Sequence, residues 1–273
     1  MSMTPSNFQY FCQRLRDLSG IVIEENKLYL VESRMLPLVR AHKLDGLDAL
    51  VDKLRRAESG PLAHEIVDAM TTNETSFFRD SHPFQTLRSH ILPKLMEAKA
   101  KEKEITIWCG ATSSGQEPYS ILMTIDAHFP ELLRDWNFRM IGTDISPSML
   151  ARVKDGVYSQ LEVNRGLPAT MLVKYFSKIG NAWQISEEFR DRLELKELNL
   201  TGEWSRLPKC DLVMMRNVLI YFDQPTKRAV MSKVRKVLSP EGYLMLGAAE
   251  SALSFEENFQ RERVASTTLF RAA

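Results

Sequence analysis

From about residue 103 onward, the chain alternates short apolar runs with segments of helical periodicity, and this alternation strongly limits the folds it can adopt. It predicts βα units that build a mostly parallel sheet, with helices covering both faces. Because such sheets bind ligands at the carboxyl ends of their strands, we expect the functional residues directly after each apolar run. The predicted strands cover residues 105–108, 138–142, 211–215 and 243–247, and helices are predicted from Glu117, Ser146 and Gln224.

The N-terminal part of the chain has a different pattern, that of short amphipathic helices. Between residue 5 and about residue 68, apolar side chains recur three and four positions apart. Ser6 is a plausible N-cap of the first helix, and Gly20 closes that helix. We therefore expect a small helical domain over residues 1–70, a linker over residues 71–95 and an α/β domain over residues 96–273.

One segment, residues 165–198, interrupts the alternation of the α/β domain. It contains the turn sequence Ile-Gly-Asn-Ala at residues 179–182, between two short runs that can pair as a hairpin. We expect a small antiparallel β-subdomain at this place.

A loop of small residues, from Gly110 to Gly115, follows the first predicted strand and precedes Glu117. Small residues at such a point let a ligand approach the backbone closely. The loop lacks the Lys-Ser/Thr pair of a phosphate-binding P-loop and the G-x-G-x-x-G of dinucleotide-binding turns. No basic residue lies between Trp108 and Tyr119, so a phosphate would find no counter-charge here and Glu117 would repel it.

Asp144 follows the second predicted strand, where an acid can accept hydrogen bonds from a ribose diol. Alone, an Asp before Ser-Pro can be a helix cap, and a glycine-containing loop can be a plain tight turn. Together, the two features indicate an adenosine-type ligand. S-adenosylmethionine, which carries a sulfonium but no phosphate, fits such a loop better than NAD or ATP does.

The linker carries polar residues that admit two interpretations. Asn73, Thr75 and Arg79 could cap and pack a linker helix, or they could lie over the cofactor. In the second case, Arg79 could hold a substrate carboxylate in a bidentate grip.

Further candidates follow later strands of the sheet. Arg216 and Asn217 come directly after the run at residues 211–215, and this position favours function over a structural role. Tyr221 lies four residues after Asn217. The Asn199-Leu200 pair is placed so that a side chain or backbone group can reach an adenine.

Composition excludes several classes of function. The net charge is +1, from 36 basic and 35 acidic residues, which gives no global reason to bind nucleic acid. The 3 cysteines form no C-x-x-C pair, so reduced thiols are expected and neither disulfides nor a metal site is indicated. Neither a signal peptide nor a run of about 18 apolar residues is present. We expect a cytoplasmic monomer without direct membrane insertion.

With these residues assembled, the chain resembles the CheR family of chemotaxis receptor methyltransferases. The resemblance implies an α/β fold: a Rossmann-like sheet of the S-adenosylmethionine-dependent methyltransferases, an inserted small antiparallel β-subdomain and an N-terminal α-helical domain. It also implies methyl transfer to glutamate side chains in the cytoplasmic domains of bacterial chemoreceptors, the methyl-accepting chemotaxis proteins, with S-adenosylhomocysteine as product. The matching stretches are TTNETSFFRD, ATSSGQEPYSI, GTDIS, MRNVLIYFD and GYLMLGAAES, in this order between residues 71 and 251.

The resemblance also assigns roles to individual residues. Arg79 and Tyr221 are similar to residues near the transferred methyl group. Several basic residues of the helical domain could contact acidic methylation helices, or could be ordinary surface charge: Arg40, Lys43, Lys53, Arg55 and Arg56. The implied cofactor-binding set is Asn73, Thr75, Arg79, Gly110, Glu117, Asp144, Asn199, Leu200, Arg216 and Asn217.

One departure from the family concerns receptor docking. In members that dock on a receptor's C-terminal pentapeptide, the small β-subdomain has a longer glycine-containing turn than residues 177–182 provide here. We therefore expect no tight pentapeptide docking.

Other functions remain open at the level of sequence. They are a methyltransferase for RNA, another protein or a small molecule, and a non-catalytic module that senses S-adenosylmethionine. The near-neutral charge disfavours RNA, and the presence of Arg79 and Tyr221 disfavours a decayed active site. An NAD oxidoreductase ranks last because no pyrophosphate loop is present.

Overall fold

The computed structural model describes residues 2–57, 59–250 and 259–272. The chain folds into an N-terminal helical domain and an α/β domain with a large mixed sheet and a small antiparallel sheet, which confirms the predicted fold class. Ser251, the last residue of the fifth family-like stretch, lies outside the described residues.

The N-terminal domain contains the helices α1 (Pro5–Ser19), α2 (Leu28–Ala41), α3 (Leu47–Arg56) and α4 (Pro61–Met70). Thr4, and not Ser6, occupies the N-cap position of α1, so the predicted cap is wrong. Proline is favoured in the first helical turn because its missing N–H is not needed there, and Pro5 therefore starts the helix ahead of Ser6. Gly20 ends α1 in the left-handed conformation, as predicted.

The apolar faces of these four helices meet in a core of their own. Phe11, Leu15, Val31 and Leu50 are almost completely buried in it. Ile145, from the α/β domain, also packs against this core. The two domains are therefore in contact close to the end of the second strand of the large sheet.

A helical stretch connects the linker to the α/β domain. It consists of α5 (His82–Thr86), one π-helical turn (Leu87–Ile91) and α6 (Leu92–Ala98). Pro93 lies in the first turn of α6 and has no N–H to offer to the preceding turn, which fits the wider turn found there.

The remaining elements belong to the α/β domain. Its strands are β1 (Glu104–Gly110), β2 (Asn137–Asp144), β3 (Val157–Ser159), β4 (Phe176–Ile179), β5 (Ala182–Ile185), β6 (Leu193–Glu197), β7 (Cys210–Met215), β8 (Leu238–Leu246), β9 (Phe259–Val264) and β10 (Thr267–Ala272). Its helices are α7 (Gln116–His128), α8 (Pro130–Asp135), α9 (Pro147–Asp155), α10 (Gln160–Asn164), α11 (Ala169–Tyr175), α12 (Glu187–Asp191) and α13 (Gln224–Val237).

The large sheet has seven strands in the order β6-β2-β1-β7-β8-β10-β9. The pairs from β6 to β8 are parallel, and β10 pairs antiparallel with both β8 and β9. The chain runs outward from β1 to β2 on one side and later continues from β7 on the other. The strand order thus reverses next to β1, where open α/β sheets bind their ligands.

Both faces of this sheet are buried, which explains why its inner strands read as continuous apolar runs. In β1, Ile105, Ile107 and Cys109 point into one core cluster, whereas Trp108 points into the cluster on the opposite face. This alternation follows from the two-residue period of a strand.

The small antiparallel sheet has the strand order β3-β5-β4. Its β4–β5 hairpin pairs Ile179 with Ala182, so the predicted turn is a two-residue connection through Gly180 and Asn181. The predicted bounds of this subdomain need correction at both ends. The sheet already begins with β3, and β6 pairs in parallel with β2 and so belongs to the large sheet.

Candidate active site

A cavity of about 420 Å³ lies at the carboxyl ends of β1, β2, β6 and β7. Cavities that bind small molecules usually enclose about 300–1,000 Å³. Gly110 is not among the lining residues. A Cβ added at Gly110 would face Met215 and Trp108. The other predicted site residues all contribute to the lining: Asn73, Thr75, Arg79, Glu117, Asp144, Asn199, Leu200, Arg216, Asn217 and Tyr221.

The loop after β1 forms one wall of the cavity through Ala111, Thr112 and Ser113. It bends sharply, since Ala111 and Ser113 both have positive φ, and the Thr112 N–H donates to the Thr143 carbonyl at 2.9 Å. At the N-cap of α7, Gly115 has a φ of 92°, and a Cβ there would lie 2.9 Å from Val153. Only glycine therefore fits this close contact between the loop and α9.

Asp144, at the end of β2, is buried and fixed by the backbone. Its Oδ2 accepts from the Ser113 N–H at 2.8 Å, and its Oδ1 accepts from the Ser146 N–H at 2.9 Å. Burial raises the pKa of this carboxyl group, and the backbone N–H donors partly offset that effect. A carboxylate has about four acceptor positions, so Asp144 can still accept a hydrogen bond from a diol.

The Arg216 guanidinium is buried at the base of the cavity, with 2% of its side chain exposed. It donates to Glu117 Oε2 at 2.8 Å, to Asp80 Oδ2 at 2.6 Å and to the Arg79 carbonyl at 3.2 Å. The end of β7, the first turn of α7 and the linker are thereby tied together. Arg216 thus acts on the site mainly by holding Glu117 and the linker loop in place.

Arg79 reaches the cavity from a strained loop of the linker. Phe78, Asp80 and Ser81 all have positive φ, which is uncommon for residues other than glycine. The Arg79 guanidinium donates to the Glu74 carbonyl at 3.0 Å. Its side chain is only half-buried, so donors remain available for a ligand.

The residues just before Arg79 anchor this loop to the α/β domain. Phe77 is fully buried and makes edge-to-face contacts with Tyr158 and Phe176. The Phe78 N–H donates to the Ser120 hydroxyl at 3.0 Å. The linker is therefore fixed to the α/β domain and forms part of the cavity wall.

Asn73 and Thr75 lie earlier in the linker. The Asn73 carbonyl accepts from the Ser113 hydroxyl at 3.0 Å, which joins the linker to the loop after β1. The Asn73 side chain donates to the Thr71 hydroxyl at 3.0 Å. Thr75 lines the cavity between Asn73 and Arg79.

Asn199 and Leu200 follow β6, where the sequence places them. Both ends of the Asn199 amide are used: Nδ2 donates to the Leu18 carbonyl at 2.7 Å, and Oδ1 accepts from Thr201. The Asn199 side chain thus fastens the end of α1 to the cavity wall. Lys233 holds the same turn by donating to the carbonyls of Leu200, Thr201 and Gly202 at 2.6–3.2 Å.

Asn217 and Tyr221 belong to the turn after β7. Asn217 has a φ of 60°, a left-handed conformation that asparagine tolerates better than most residues. The Tyr221 carbonyl accepts from the Val22 N–H at 2.9 Å, so this turn also contacts the N-terminal domain.

One wall of the cavity comes from the N-terminal domain. The sequence did not predict this contribution. A signal was present, because Ile21, Val22 and Ile23 form an apolar run directly after the helix-ending Gly20. Lys27 and Arg34 bring positive charge to this wall, whereas the loop after β1 carries none. The wall consists of Ser19, Ile21, Val22, Ile23, Glu24, Lys27, Tyr29, Leu30 and Arg34.

Two observations test whether the residues present fit S-adenosylmethionine. The buried Thr112 hydroxyl and the Arg216 Nε have no hydrogen-bond partner among the described residues, so a polar ligand could satisfy them. Asp144 and Glu117 supply acceptors for hydroxyl and amino groups, and apolar side chains such as Ile145 and Leu200 supply surface for a base. The hydrogen-bonding and apolar groups of the cavity therefore fit the cofactor.

In residues 2–57, 59–250 and 259–272, no group of three metal-ligating side chains is close enough to hold an ion. Within the same ranges, no helix combines the length and hydropathy needed to cross a bilayer.

Comparison with known proteins assigns the chain to a family. Residues 6–71 match the family model "CheR methyltransferase, all-alpha domain", and residues 73–268 match "CheR methyltransferase, SAM binding domain". Chemotaxis protein methyltransferase 1 of Pseudomonas aeruginosa is 38% identical over 275 residues and covers 100% of both chains. Chemotaxis protein methyltransferase Cher2 of Pseudomonas putida is 35% identical with the same coverage.

A third relative, Chemotaxis protein methyltransferase 1 of Vibrio cholerae, is 38% identical over 96% of this chain and 95% of its own length. These matches cover both domains and include every predicted site residue. The chain is therefore an S-adenosylmethionine-dependent methyltransferase and belongs to the CheR family of chemotaxis protein methyltransferases.

Proposed function

We propose that this enzyme transfers the methyl group of S-adenosylmethionine to glutamate side chains in the cytoplasmic domains of bacterial chemoreceptors, and so tunes sensory adaptation. The observation that carries the proposal is that Arg79 lines the same cavity as Glu117 and Asp144. A cation that can hold a carboxylate thus stands beside the acceptors proposed for the cofactor.

The residues of the cavity divide into groups with separate roles in this proposal. Asp144 accepts hydrogen bonds from the ribose diol, and Glu117 accepts from the amino group of the cofactor's methionine part. Asn199 and Leu200 form the wall beside the adenine. Asn73, Thr75, Arg216 and Asn217 complete the proposed set, with Arg216 acting through Glu117 and the linker loop.

The chemistry requires little from acid–base groups. S-adenosylmethionine, when bound, supplies a methyl group attached to a sulfonium leaving group. The usual pKa of a glutamate side chain is about 4.3, so the acceptor is already an anion at neutral pH. No histidine is among the described residues that line the cavity, and His82 is hydrogen-bonded to Thr267 instead.

Catalysis then depends on positioning and on the exclusion of water. Arg79 would hold and orient the acceptor carboxylate, and Tyr221 would line the part of the cavity where the bound cofactor would supply its methyl group. Fixing two reactants in this way can supply about 7–11 kcal/mol of the barrier. Removal of water from the carboxylate adds to its reactivity.

The experiment for this proposal measures tritium transfer from labelled cofactor to a purified chemoreceptor cytoplasmic fragment. We expect base-labile methyl esters on glutamate. In Arg79→Ala, turnover should fall about 100-fold, because small errors in orientation cost rates of this order. Binding of S-adenosylhomocysteine, measured by calorimetry, should weaken by less than about fivefold, since most of its proposed contacts remain.

Arg88→Ala is the matched control, since it removes an exposed arginine from the helical stretch that follows the linker. It should retain wild-type turnover. A wild-type turnover number in Arg79→Ala would rule out the role given to Arg79. Tight cofactor binding without any receptor methylation would point to the second candidate, a methyltransferase for another protein or a small molecule.

Recognition of the receptor is proposed to occur without its C-terminal pentapeptide. The β4–β5 connection contains two residues, Gly180 and Asn181. The family resemblance implies a longer turn at this place in members that depend on the pentapeptide. Calorimetric titration with a receptor-tail pentapeptide should show no binding in the micromolar range. A micromolar dissociation constant would contradict this part of the proposal.

The site of action follows from the substrate. We propose that the enzyme works as a cytoplasmic monomer and reaches the membrane-bound receptor arrays through the receptors themselves. Exposed basic residues of the N-terminal domain could meet the acidic methylation helices. Arg55 is partly engaged within its own domain, because it lies over the Tyr10 ring and donates to Asn7. The other members of this set are Arg40, Lys43, Lys53 and Arg56.

A further inference from the structure

Glu250 is a fully buried carboxylate that lies after β8. Its Oε2 accepts from the N–H groups of Asn217 at 2.7 Å and Gly247 at 2.8 Å. Its Oε1 accepts from the N–H groups of Leu219 at 2.7 Å and Ile220 at 3.3 Å. Hydrogen bonds to an ionised acceptor are about twice as strong as neutral ones, so this side chain strongly fixes the backbone around it.

Three of the four donors belong to the turn after β7, which also carries two lining residues of the cavity. Asn217 begins this turn in the left-handed conformation, and Tyr221 ends it. A left-handed residue other than glycine persists only when its surroundings hold it there. Glu250 provides that hold, because it binds the N–H of Asn217 itself and those of the next residues.

Close packing supports the same role. A Cβ at Gly247 would lie 2.7 Å from Glu250 Oε2 and 3.0 Å from the Asn217 nitrogen. Glycine at this position thus leaves the space that the carboxylate needs in order to reach the turn. The arrangement joins the end of β8 to the ligand-binding end of β7.

We propose that Glu250 is a positioning residue for the cofactor: it shapes the turn after β7 so that Asn217 and Tyr221 face the cavity. It acts through the backbone of the turn and touches neither the cofactor nor the receptor. The proposal rests on this cavity as the cofactor site and is independent of the identity of the methyl acceptor.

Glu250→Gln tests the proposal with little change in shape. Whichever way the amide is oriented, its NH₂ group faces two backbone N–H donors, so two of the bonds are replaced by donor–donor contacts. We expect the dissociation constant of S-adenosylhomocysteine, measured by calorimetry on the full chain, to rise about tenfold or more, as expected for the loss of charge-assisted bonds.

Asp211 offers a matched control near the start of β7, the strand whose following turn Glu250 binds. It is also a buried carboxylate, and it accepts from the Thr106 N–H at 2.9 Å, the Ser239 hydroxyl at 2.8 Å and the Lys99 ammonium at 2.6 Å. Asp211→Asn should lower thermal stability as Glu250→Gln does. Its affinity for S-adenosylhomocysteine should stay within about twofold of wild type, because Asp211 does not support the cavity wall.

The two variants distinguish a positioning role of Glu250 from a general loss of stability. Weaker binding in Glu250→Gln alone supports the positioning role. Binding within about twofold of wild type in Glu250→Gln, or an equal loss in both variants, overturns it. If Glu250→Gln does not fold, Gly247→Ala replaces it, because the added methyl group would lie 2.7 Å from Glu250 Oε2 and displace the carboxylate. Weaker binding of S-adenosylhomocysteine would then support the proposal, and binding within about twofold of wild type would overturn it. Because no methyl acceptor is present, failure here leaves the receptor proposal untouched.

Discussion

Arg216 shows how a residue at a strand end can serve the site indirectly. Its position after β7 predicted that it would reach the cavity, and it does line it. Its charged bonds, however, go to Glu117 and Asp80, which lie 99 and 136 positions away in sequence. Only the folded chain brings these groups together, so sequence reasoning could name the residue but not its partners.

Asp80 provides a prediction at the residue scale. It has a φ of 67° and binds Arg216, so it helps to hold the strained loop that presents Arg79. Asp80→Asn keeps an oxygen acceptor and tolerates the left-handed conformation, whereas Asp80→Ala loses both. We expect Asp80→Ala to lose about 1–3 kcal/mol in the free energy of unfolding, and Asp80→Asn about 1 kcal/mol or less.

Turnover should follow the same order, because Arg79 becomes less well placed as its loop loosens. Urea unfolding and single-turnover methyl transfer are the measurements. Asp135→Asn, which removes a negative charge from the exposed end of α8, is the control and should change neither quantity. Equal stability and turnover in Asp80→Ala and wild type would show that Arg216 needs only Glu117.

At the scale of elements, the buried parallel strands were predictable and the edges were less so. Strands β1, β2 and β7 read as continuous apolar runs because both of their faces are buried. Among the described residues, β6 is an edge strand paired with β2 alone, and its sequence is charged and half-exposed. The sequence therefore predicted it as part of the small subdomain. Its parallel pairing with β2 depends on contacts between residues more than 50 positions apart.

The helix ends were mostly readable for local reasons. Ser146 caps α9 by accepting from the Met149 N–H at 3.1 Å, and Asp223 caps α13 by accepting from the Thr226 N–H at 2.9 Å. These bonds span three residues, so the sequence contains all the information they need. The predicted N-cap of α1, Ser6, was wrong because Pro5, a residue favoured in the first helical turn, begins the helix.

At the scale of the whole molecule, the N-terminal domain supplies one wall of the candidate cofactor cavity. The sequence predicted an N-terminal helical domain and an α/β domain, and the described apolar residues form one buried cluster in the first and two in the second. It did not predict that residues 19–34 would form a cavity wall, because this depends on how the two domains pack. Side-chain and backbone contacts join the domains near the cavity: Asn199 to Leu18, Val22 to Tyr221, and both Ser146 and Ser148 to Asp68.

Gly20 lies at a close contact of this interface and supplies the prediction at this scale. It has a φ of 78°, and a Cβ there would lie 2.6 Å from Thr201 Cγ2 and 3.2 Å from the Phe222 ring. Gly20→Ala should therefore push the end of α1 away from the cavity wall that holds Asn199 and Tyr221. We expect the affinity for S-adenosylhomocysteine to fall about tenfold, measured by calorimetry.

Gly180→Ala separates this effect from simple backbone strain. Gly180 is also left-handed, with a φ of 56°, but a Cβ there would meet no atom within 4 Å. Both variants should lose about 1–2 kcal/mol of stability from the strained alanine. Only Gly20→Ala should also lose cofactor affinity, because only there does the methyl group disturb contact between the domains. If both variants bind S-adenosylhomocysteine like wild type, the cavity does not depend on the seating of the N-terminal domain.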